Sequence, residues 1–575
     1  MTPEVHNVNL VLHHWTQGDT RLYDTLLEVL NDPGLQSREL VFILQSMRGC
    51  VAQLDRTHEV LVGSLMKVNW PNQEEEVIRE YRSFLLNLLS AHTFYLRAGL
   101  RMLVRHFLPD TSESEPEAQT KALEDKKYIN IHLVLRAVSS LIPMTWTVLM
   151  PLLSNCCPFI LRPLYHLECF FTNLLQIPAY MPSLRQPILE LIVSKLVQLD
   201  VRSPRCEIEC TEGDKQEVDQ VMFPMEVPSK HQDDNMPDIA EHVGAQKLDV
   251  LMEMLLKYIH DTSYKKDVCD WDTCKKLYRE LLLVFERIVL PTCASSHCQF
   301  FMFYICSFKP ALADGFIDYL WTRFQNPNSE TVFRQTSVAY IGSFISRAKF
   351  ISIKTLKTCM ELMVEWVHRY LEEISAETIF ADVSHHAPFY SVCQAIFYVF
   401  CFRSKDILDS EKGYKWAAGL QLQRIVTCRL NPLRSCLPLV VETFSSVTRI
   451  YQLAFCDTII EKNKRCTIPV STQNNDGFAV QTEILDSFFP FDPYLLNRSG
   501  ELVRPLYREY TCGAVSTPHT KQHLQMEDDD FLTETENKVA FGTSGAPMSL
   551  FGVSQKPPAS TDFLNYGTSP GFKHV

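Results

Sequence analysis

Glycine is scarce, with 19 in 575 residues. A doubly wound nucleotide-binding enzyme spends glycine on tight βα turns and phosphate loops. The sequence has no Gly-x-x-x-x-Gly-Lys-Ser/Thr, no Gly-x-Gly-x-x-Gly after a strand and no His-Glu-x-x-His helix. No catalysis and no cofactor are therefore expected. Long apolar runs are missing as well: the densest, Phe300 to Phe308, is too short to cross a bilayer, so no membrane partner is expected. Positive charge is in deficit, 55 basic against 68 acidic residues for a net −13 at pH 7. That balance argues against unspecific nucleic-acid binding by the whole surface and leaves room only for a local patch. Nineteen cysteines are present, but Cys306, Cys359, Cys393, Cys401 and Cys436 lie in apolar patterns, where a thiol behaves as a small hydrophobe. Nothing in Met1 to Leu10 reads as a secretory signal, and a reduced, intracellular setting is expected.

What fills the chain is helix, most densely between Gln299 and Phe350. Phe300-Phe301-Met302-Phe303-Tyr304-Ile305-Cys306-Ser307-Phe308 is apolar on every side and suits a helix buried on more than one face. After Lys309-Pro310 a second pattern runs through Phe316, Tyr319, Leu320 and Trp321 to Phe324, and Asn326-Pro327-Asn328-Ser329 breaks it as a turn. Val332, Ala339, Tyr340, Ile341, Phe344 and Ile345 then recur mostly at helical spacing, with Asn328 or Ser329 as the expected cap. Helices that are apolar over several stripes and joined by short turns must stack on similar units. The expected fold class is all-α, an α-solenoid of HEAT-like helical repeats with disordered acidic loops and a disordered C-terminal tail. The 46% of hydrophobic residues is enough for a large core.

Six segments follow from the pattern. Residues 1–108 are expected to hold N-terminal helical repeats, with helices over Val8 to His14, Tyr23 to Leu30 and Leu40 to Leu54. Another starts after Pro71, where Asn72 and Glu75 read as an N-cap and its capping-box glutamate. Arg97, Arg101 and Arg105 fall four apart, which puts three guanidinium groups on one helix face. The stripe reads either as a solvated face or as a site for an acidic or phosphorylated partner. Residues 109–127 are expected to be an acidic serine loop around Ser112 and Ser114, too poor in apolar side chains to offset the entropy of ordering.

Helical repeats return over 128–201, broken into short helices at Pro143, Pro151, Pro158, Pro182 and Pro187, since proline is tolerated in a first turn and not later. Ser183 to Leu199 is the clearest amphipathic pattern in the chain. Residues 202–241 read as a disordered acidic loop and 242–510 as C-terminal helical repeats. Residues 511–575 read as a flexible acidic tail, with Glu527-Asp528-Asp529-Asp530, Thr517-Pro518 and Ser569-Pro570, accessible to protein kinases.

Three further clusters need a reading. Cys269, Cys274, Cys293, His297 and Cys298 are of metal-ligating type, but their spacing is not that of a paired Cys-x2-Cys knuckle, and no metal is expected. His385-His386 near Cys393 has no orienting carboxylate or oxyanion hole by motif, so a polar helix start is expected there. Arg347, Lys349, Lys354 and Lys357 carry four positive charges with no acid between them. They read as a solvated turn and helix start, or as a patch for nucleic-acid phosphates or an acidic partner, without sequence preference.

Several segments carry a resemblance. Gln299-Phe300-Phe301-Met302-Phe303-Tyr304, Tyr340-Ile341-Gly342-Ser343-Phe344 with Arg347-Ala348-Lys349-Phe350, and Pro388-Phe389-Tyr390 before Cys393-Gln394-Ala395 resemble the RNA polymerase I-specific transcription initiation factor family, also called TIF-IA. So do Leu430-Asn431-Pro432-Leu433 with Cys436-Leu437-Pro438, Tyr451-Gln452-Leu453 with Thr458-Ile459-Ile460-Glu461, and Asp486-Ser487-Phe488-Phe489-Pro490-Phe491-Asp492-Pro493. The matches keep the family's order over roughly residues 80 to 535.

The resemblance implies a noncatalytic solenoid that binds RNA polymerase I near its stalk and bridges it to the promoter-bound selectivity factor. It implies ribosomal RNA gene transcription in the nucleus and nucleolus, under control by protein kinases. Ser112 and Ser114 match the family's acidic Ser-x-Ser element, and beside that resemblance the charges from Arg347 to Lys357 read as a patch that would meet promoter DNA or an acidic surface. The sequence departs from the family in a shorter N-terminal leader, in shorter acidic loops, and in His166, where relatives carry a phosphorylatable residue. An importin-like transport receptor or another helical-repeat scaffold is the competing reading, against which stand the aromatic motifs and the lack of a regular unit period. The far-ultraviolet circular dichroism spectrum is expected to be that of a helical protein; a sheet-dominated spectrum would exclude the fold class.

Overall fold

The computed structural model describes residues 7–510 apart from 33, 111–117, 204–237, 293–294, 375–382, 384, 409–410, 467–484 and 486–487. A first block holds α1 (Val8–Thr16), α2 (Arg21–Leu30), α3 (Ser37–Gly49), α4 (Glu59–Leu65), α5 (Glu75–Ala91), α6 (Leu96–Arg105), α7 (Ala118–Leu141), α8 (Thr145–Cys156), α9 (Leu164–Gln176) and α10 (Arg185–Arg202). A second holds α11 (Asp238–Ser263), α12 (Trp271–Val284), α13 (Phe300–Cys306), α14 (Pro310–Gln325), α15 (Thr331–Arg347), α16 (Ile353–Glu373) and α17 (Ala387–Leu408). The shorter α18 (Glu411–Gly419), α19 (Leu422–Val426), α20 (Pro432–Ser435), α21 (Pro438–Ile450), α22 (Asp457–Cys466) and α23 (Gly500–Val503) complete it. Among the described residues the only sheet is a two-stranded hairpin, β1 (Tyr264–Lys265) with β2 (Val268–Cys269). Its turn residues Lys266 and Asp267 both have positive φ, as a tight hairpin requires.

Most helices pack on the next or next but one along the chain, α3 on α5, α6 on α8, α10 on α11 and α12, α14 on α15, and α15 on α17, while α17 also packs on α21 and α23 on α13. That neighbour-to-neighbour stacking is an α-solenoid. As the aromatic run predicts, every residue of α13 is buried. Close contact between α15 and α17 depends on Gly342, where a Cβ would sit 3.0 Å from the Cβ of Ala395. A larger residue there has to push the helices apart.

The stack is closed by a chain segment that is mostly not helical. Phe491 enters an aromatic pocket, with ring centroids 5.2 Å from both Phe300 and Phe303 and 5.7 Å from Phe344. Its N–H donates to Ser343 Oγ at 3.0 Å, and Tyr507 Oη donates to its carbonyl at 2.9 Å. The carboxylate of Asp249 accepts from the N–H groups of Arg498 and Ser499 at 2.9 and 2.8 Å. Asp200 does the same for the turn before α13, accepting from the N–H groups of Ser296, His297 and Cys298 and from His297 Nδ1 at 3.0 Å. Burial by itself raises the Asp200 carboxyl, but the His297 ring and the backbone donors outweigh it and hold its pKa below the ordinary carboxylate value.

Several local expectations are corrected. The capping box at Asn72 and Glu75 does not form: Asn72 lies in a 3-10 turn and gives its amide to Asp110 at 2.9 Å, and Glu74 stands at the N-cap of α5. Neither Asn328 nor Ser329 caps α15, whose N-cap is Glu330. The helix expected to reach Leu54 stops at Gly49 and passes into a 3-10 turn. Pro151 lies inside α8 instead of starting a helix. The break expected over 109–127 ends at 117, because α7 takes in residues 118–127. Lys127, fully buried, reaches back from α7 to the Leu108 carbonyl at 3.0 Å and to Asp110 at 3.0 Å. Likewise α11 begins at Asp238, inside the break expected over 202–241.

Two outcomes follow. Phe491→Ala empties an aromatic pocket and should cost about 3–5 kcal/mol of stability, read by urea unfolding. The stability carried by Asp200 is present above the unfolded carboxyl value, near about pH 4, and is lost as pH falls through the lower folded value. Asp200→Asn should therefore lower the unfolding midpoint at neutral pH and flatten its fall on the acid side; an unchanged acid slope would contradict the role given to this carboxylate.

Candidate interaction surfaces

On α6 the fourfold spacing does what it predicts. Leu96, Leu100, Leu103 and Val104 are buried, and Arg97, Arg101 and Arg105 lie together on the exposed face. None of the three guanidinium groups has a carboxylate partner among the described residues. Helix α8 packs against α6, and its end lies within the field of the stripe. Burial pushes the Cys156 thiol up, and Arg105 and then Arg101 oppose the shift. Next to it, Cys157 is pushed up to about 11 by burial, against the pull of Lys195. The turn that follows exposes Phe159 (52%), Leu161 (73%) and Arg162. Sequence reasoning treated Pro158 only as a helix start and missed these residues; the signal was an apolar Phe-Ile-Leu triplet bracketed by Pro158 and Pro163.

The four-cation patch is not one surface. Arg347, the last residue of α15, is buried, with its guanidinium carbon 4.3 Å from the Phe402 ring centroid and 5.3 Å from that of Tyr507. Asp492 stands 3.8 Å from its Nη2, and its carbonyl accepts from the Arg508 N–H at 2.7 Å. Burial works against its charge, and Tyr398, Tyr507 and Asp492 more than offset that, so its pKa is raised. Lys357 is half-buried, with Nζ 5.1 Å from the Trp416 ring centroid. Only Lys349 and Lys354 are exposed, and Lys354 lines a cavity of about 370 Å³ that also presents Asp314 and Asp318.

The remaining candidates come together only in pairs, Cys269 with Cys274 and His297 with Cys298 at Asp200. Cys269 lies in the hairpin, Cys274 in α12, and His297 is committed to Asp200; Cys293 is outside the described residues. Among the described residues no group of three His, Cys, Asp or Glu side chains could hold a metal ion. His386 Nδ1 lies 2.9 Å from Tyr370 Oη, and Cys393 is buried in α17. Ser112, Ser114 and the tail from 511 onward are also outside the described residues. No helix among the described residues is long and apolar enough to cross a membrane.

The family model described as RNA polymerase I specific transcription initiation factor RRN3 matches residues 4–514. The chain belongs to the RRN3 family. The RRN3 initiation factor of Mus musculus is 37% identical over 96% of this chain and 89% of its own length. The rrn3 factor of Schizosaccharomyces pombe is 28% identical, over 87% of this chain and 84% of its own. A crystal structure of RNA polymerase I transcription initiation factor Rrn3 aligns with a TM-score of 0.69 over 88% of this chain and 98% of that one, at 20% identity, and so shows the shared fold.

For this RRN3-family chain the two groups of arginines should separate cleanly on substitution. Arg347→Ala leaves a buried acid and two aromatic faces without their cation and should cost about 3–5 kcal/mol. Replacing Arg97, Arg101 and Arg105 together by alanine should leave the unfolding midpoint where it is, because all three point to water. Differential scanning fluorimetry distinguishes the two.

Proposed function

We propose that the chain is an RNA polymerase I-specific transcription initiation factor, which binds polymerase I near its stalk and bridges it to the promoter-bound selectivity factor to start ribosomal RNA gene transcription. The observation that carries this reading is the family match over residues 4–514, supported by relatives that bear that name over most of their length. A solenoid suits the task, since it presents long surfaces to large partners. The work is done in the nucleus and nucleolus, by binding and not by catalysis. Protein kinases act at Ser112 and Ser114, where each phosphate adds about −1.5 to −2 charges a few residues past Arg105. The arginine stripe of α6 is a basic face on which that charge would act. Any contact with promoter DNA near α16 is narrowed to Lys349 and Lys354, too few cations to give a steep dependence on salt.

Tagged protein incubated with nuclear extract should retain RNA polymerase I and no Ran-type GTPase. Retention of the GTPase without the polymerase would favour the importin-like reading and overturn this one. Ser112→Ala with Ser114→Ala should abolish the response of polymerase binding to phosphatase; an unchanged response would remove the two serines from the regulation.

A further inference from the structure

The surface made by α6 and the turn between α8 and α9 is unusual for this chain. The whole protein carries −13, yet here Arg97, Arg101, Arg105 and Arg162 face water with no carboxylate partner among the described residues. On the turn that follows α8, the helix packed against α6, Phe159 and Leu161 stand 52% and 73% exposed. An occupant that matches both features must be acidic and must end in large apolar side chains. We propose that it is the segment Glu527-Asp528-Asp529-Asp530-Phe531-Leu532 of the same chain, docked in cis.

Charge, length and composition all favour this occupant. Four acids in a row meet four unpaired guanidinium groups, and such contacts are strongest where several act together. Arginines at intervals of four over α6 span about 12 Å of helix axis, and four acids in an extended chain span about 10 Å. The run therefore matches the stripe and carries Phe531 and Leu532 past its end, toward a second apolar element such as Phe159 and Leu161. The nearer acidic stretch, 111–117, has charge but no large apolar side chain, so it satisfies the stripe and leaves Phe159 and Leu161 in water. Residues 511–526 tether the segment to the last described residue and reach about 55 Å when extended. A segment whose tether spans the gap acts at an effective concentration in about the millimolar range. Docking would cover the stripe until a stronger acidic or phosphorylated ligand displaces it.

The test uses full-length protein without polymerase, so its failure is distinct from failure of the initiation-factor reading. A fluorescent peptide of residues 523–535 is titrated into the unaltered chain and into the chain carrying Asp528→Asn, Asp529→Asn, Asp530→Asn and Phe531→Ala. The altered chain, its surface vacated, should bind the peptide about tenfold more tightly, and the affinity should fall as salt is raised. Adding Arg97→Glu, Arg101→Glu and Arg105→Glu, or Phe159→Ala with Leu161→Ala, should weaken binding to the altered chain by about tenfold or more. All five positions are exposed, and circular dichroism checks that the fold is kept. Equal binding by the unaltered and altered chains would overturn the proposal, as would indifference to the arginine reversals. A peptide of residues 109–118 that binds more tightly than 523–535 would give the site to the neighbouring loop and also overturn it. Blocking that appears only at high protein concentration would mean a second copy supplies the segment, and would overturn docking in cis.

Discussion

Two buried carboxylates, Asp200 and Asp249, hold the second half of the molecule in shape because they serve backbone N–H groups that no helix serves. A buried backbone donor without an acceptor is costly, and a chain turning through a helical core creates several at once. Asp200 takes three consecutive ones at the entry to α13, and Asp249 takes two where the chain returns before α23. The aromatic pocket around Phe491 can form only because those turns are paid for. Arg347 and Asp492 add a third polar link on the other side of the same segment.

Much of the fold was legible in the residues, for physical reasons. Phe300 to Cys306 is apolar on every face, and it is buried on every face. The fourfold spacing of Arg97, Arg101 and Arg105 gave one helix face, and they share one. What the pattern could not show is which polar side chains go inside. Arg347 sits one turn beyond Ser343, after an apolar run, next to Lys349 and close to Lys354; in sequence it belongs with the lysines. In space it belongs with Phe402 and Tyr507, which lie 55 and 160 positions further on. Asp200 and Asp249 were unreadable for the same reason, since the donors they satisfy are far along the chain. Caps failed for a related one: Asn72 had a better partner in Asp110 than the next turn of its own helix.

The candidate surface was half legible. Its charges follow helical periodicity, but its apolar part is a turn, where no period exists to show that Phe159 and Leu161 point outward. Proline on either side of the triplet was the one mark that a loop, and not a helix, carried it. Several of the segments that resemble the RRN3 family, among them Gln299 to Tyr304 and Tyr340 to Phe344, lie in the aromatic core, whose close packing leaves few substitutions open.

The return of residues 488–510 has a consequence for how this half of the protein comes into being. In an open stack each new helix finds its neighbour as it leaves the ribosome, and stability grows step by step. Here Asp249 bonds Ser499 and Phe300 packs on Phe491, so contacts span two hundred residues or more in places. While the ribosome is still short of residue 488, the pocket lined by Phe300, Phe303 and Phe344 stands open and apolar, and the half-made block is the species a chaperone would have to shield.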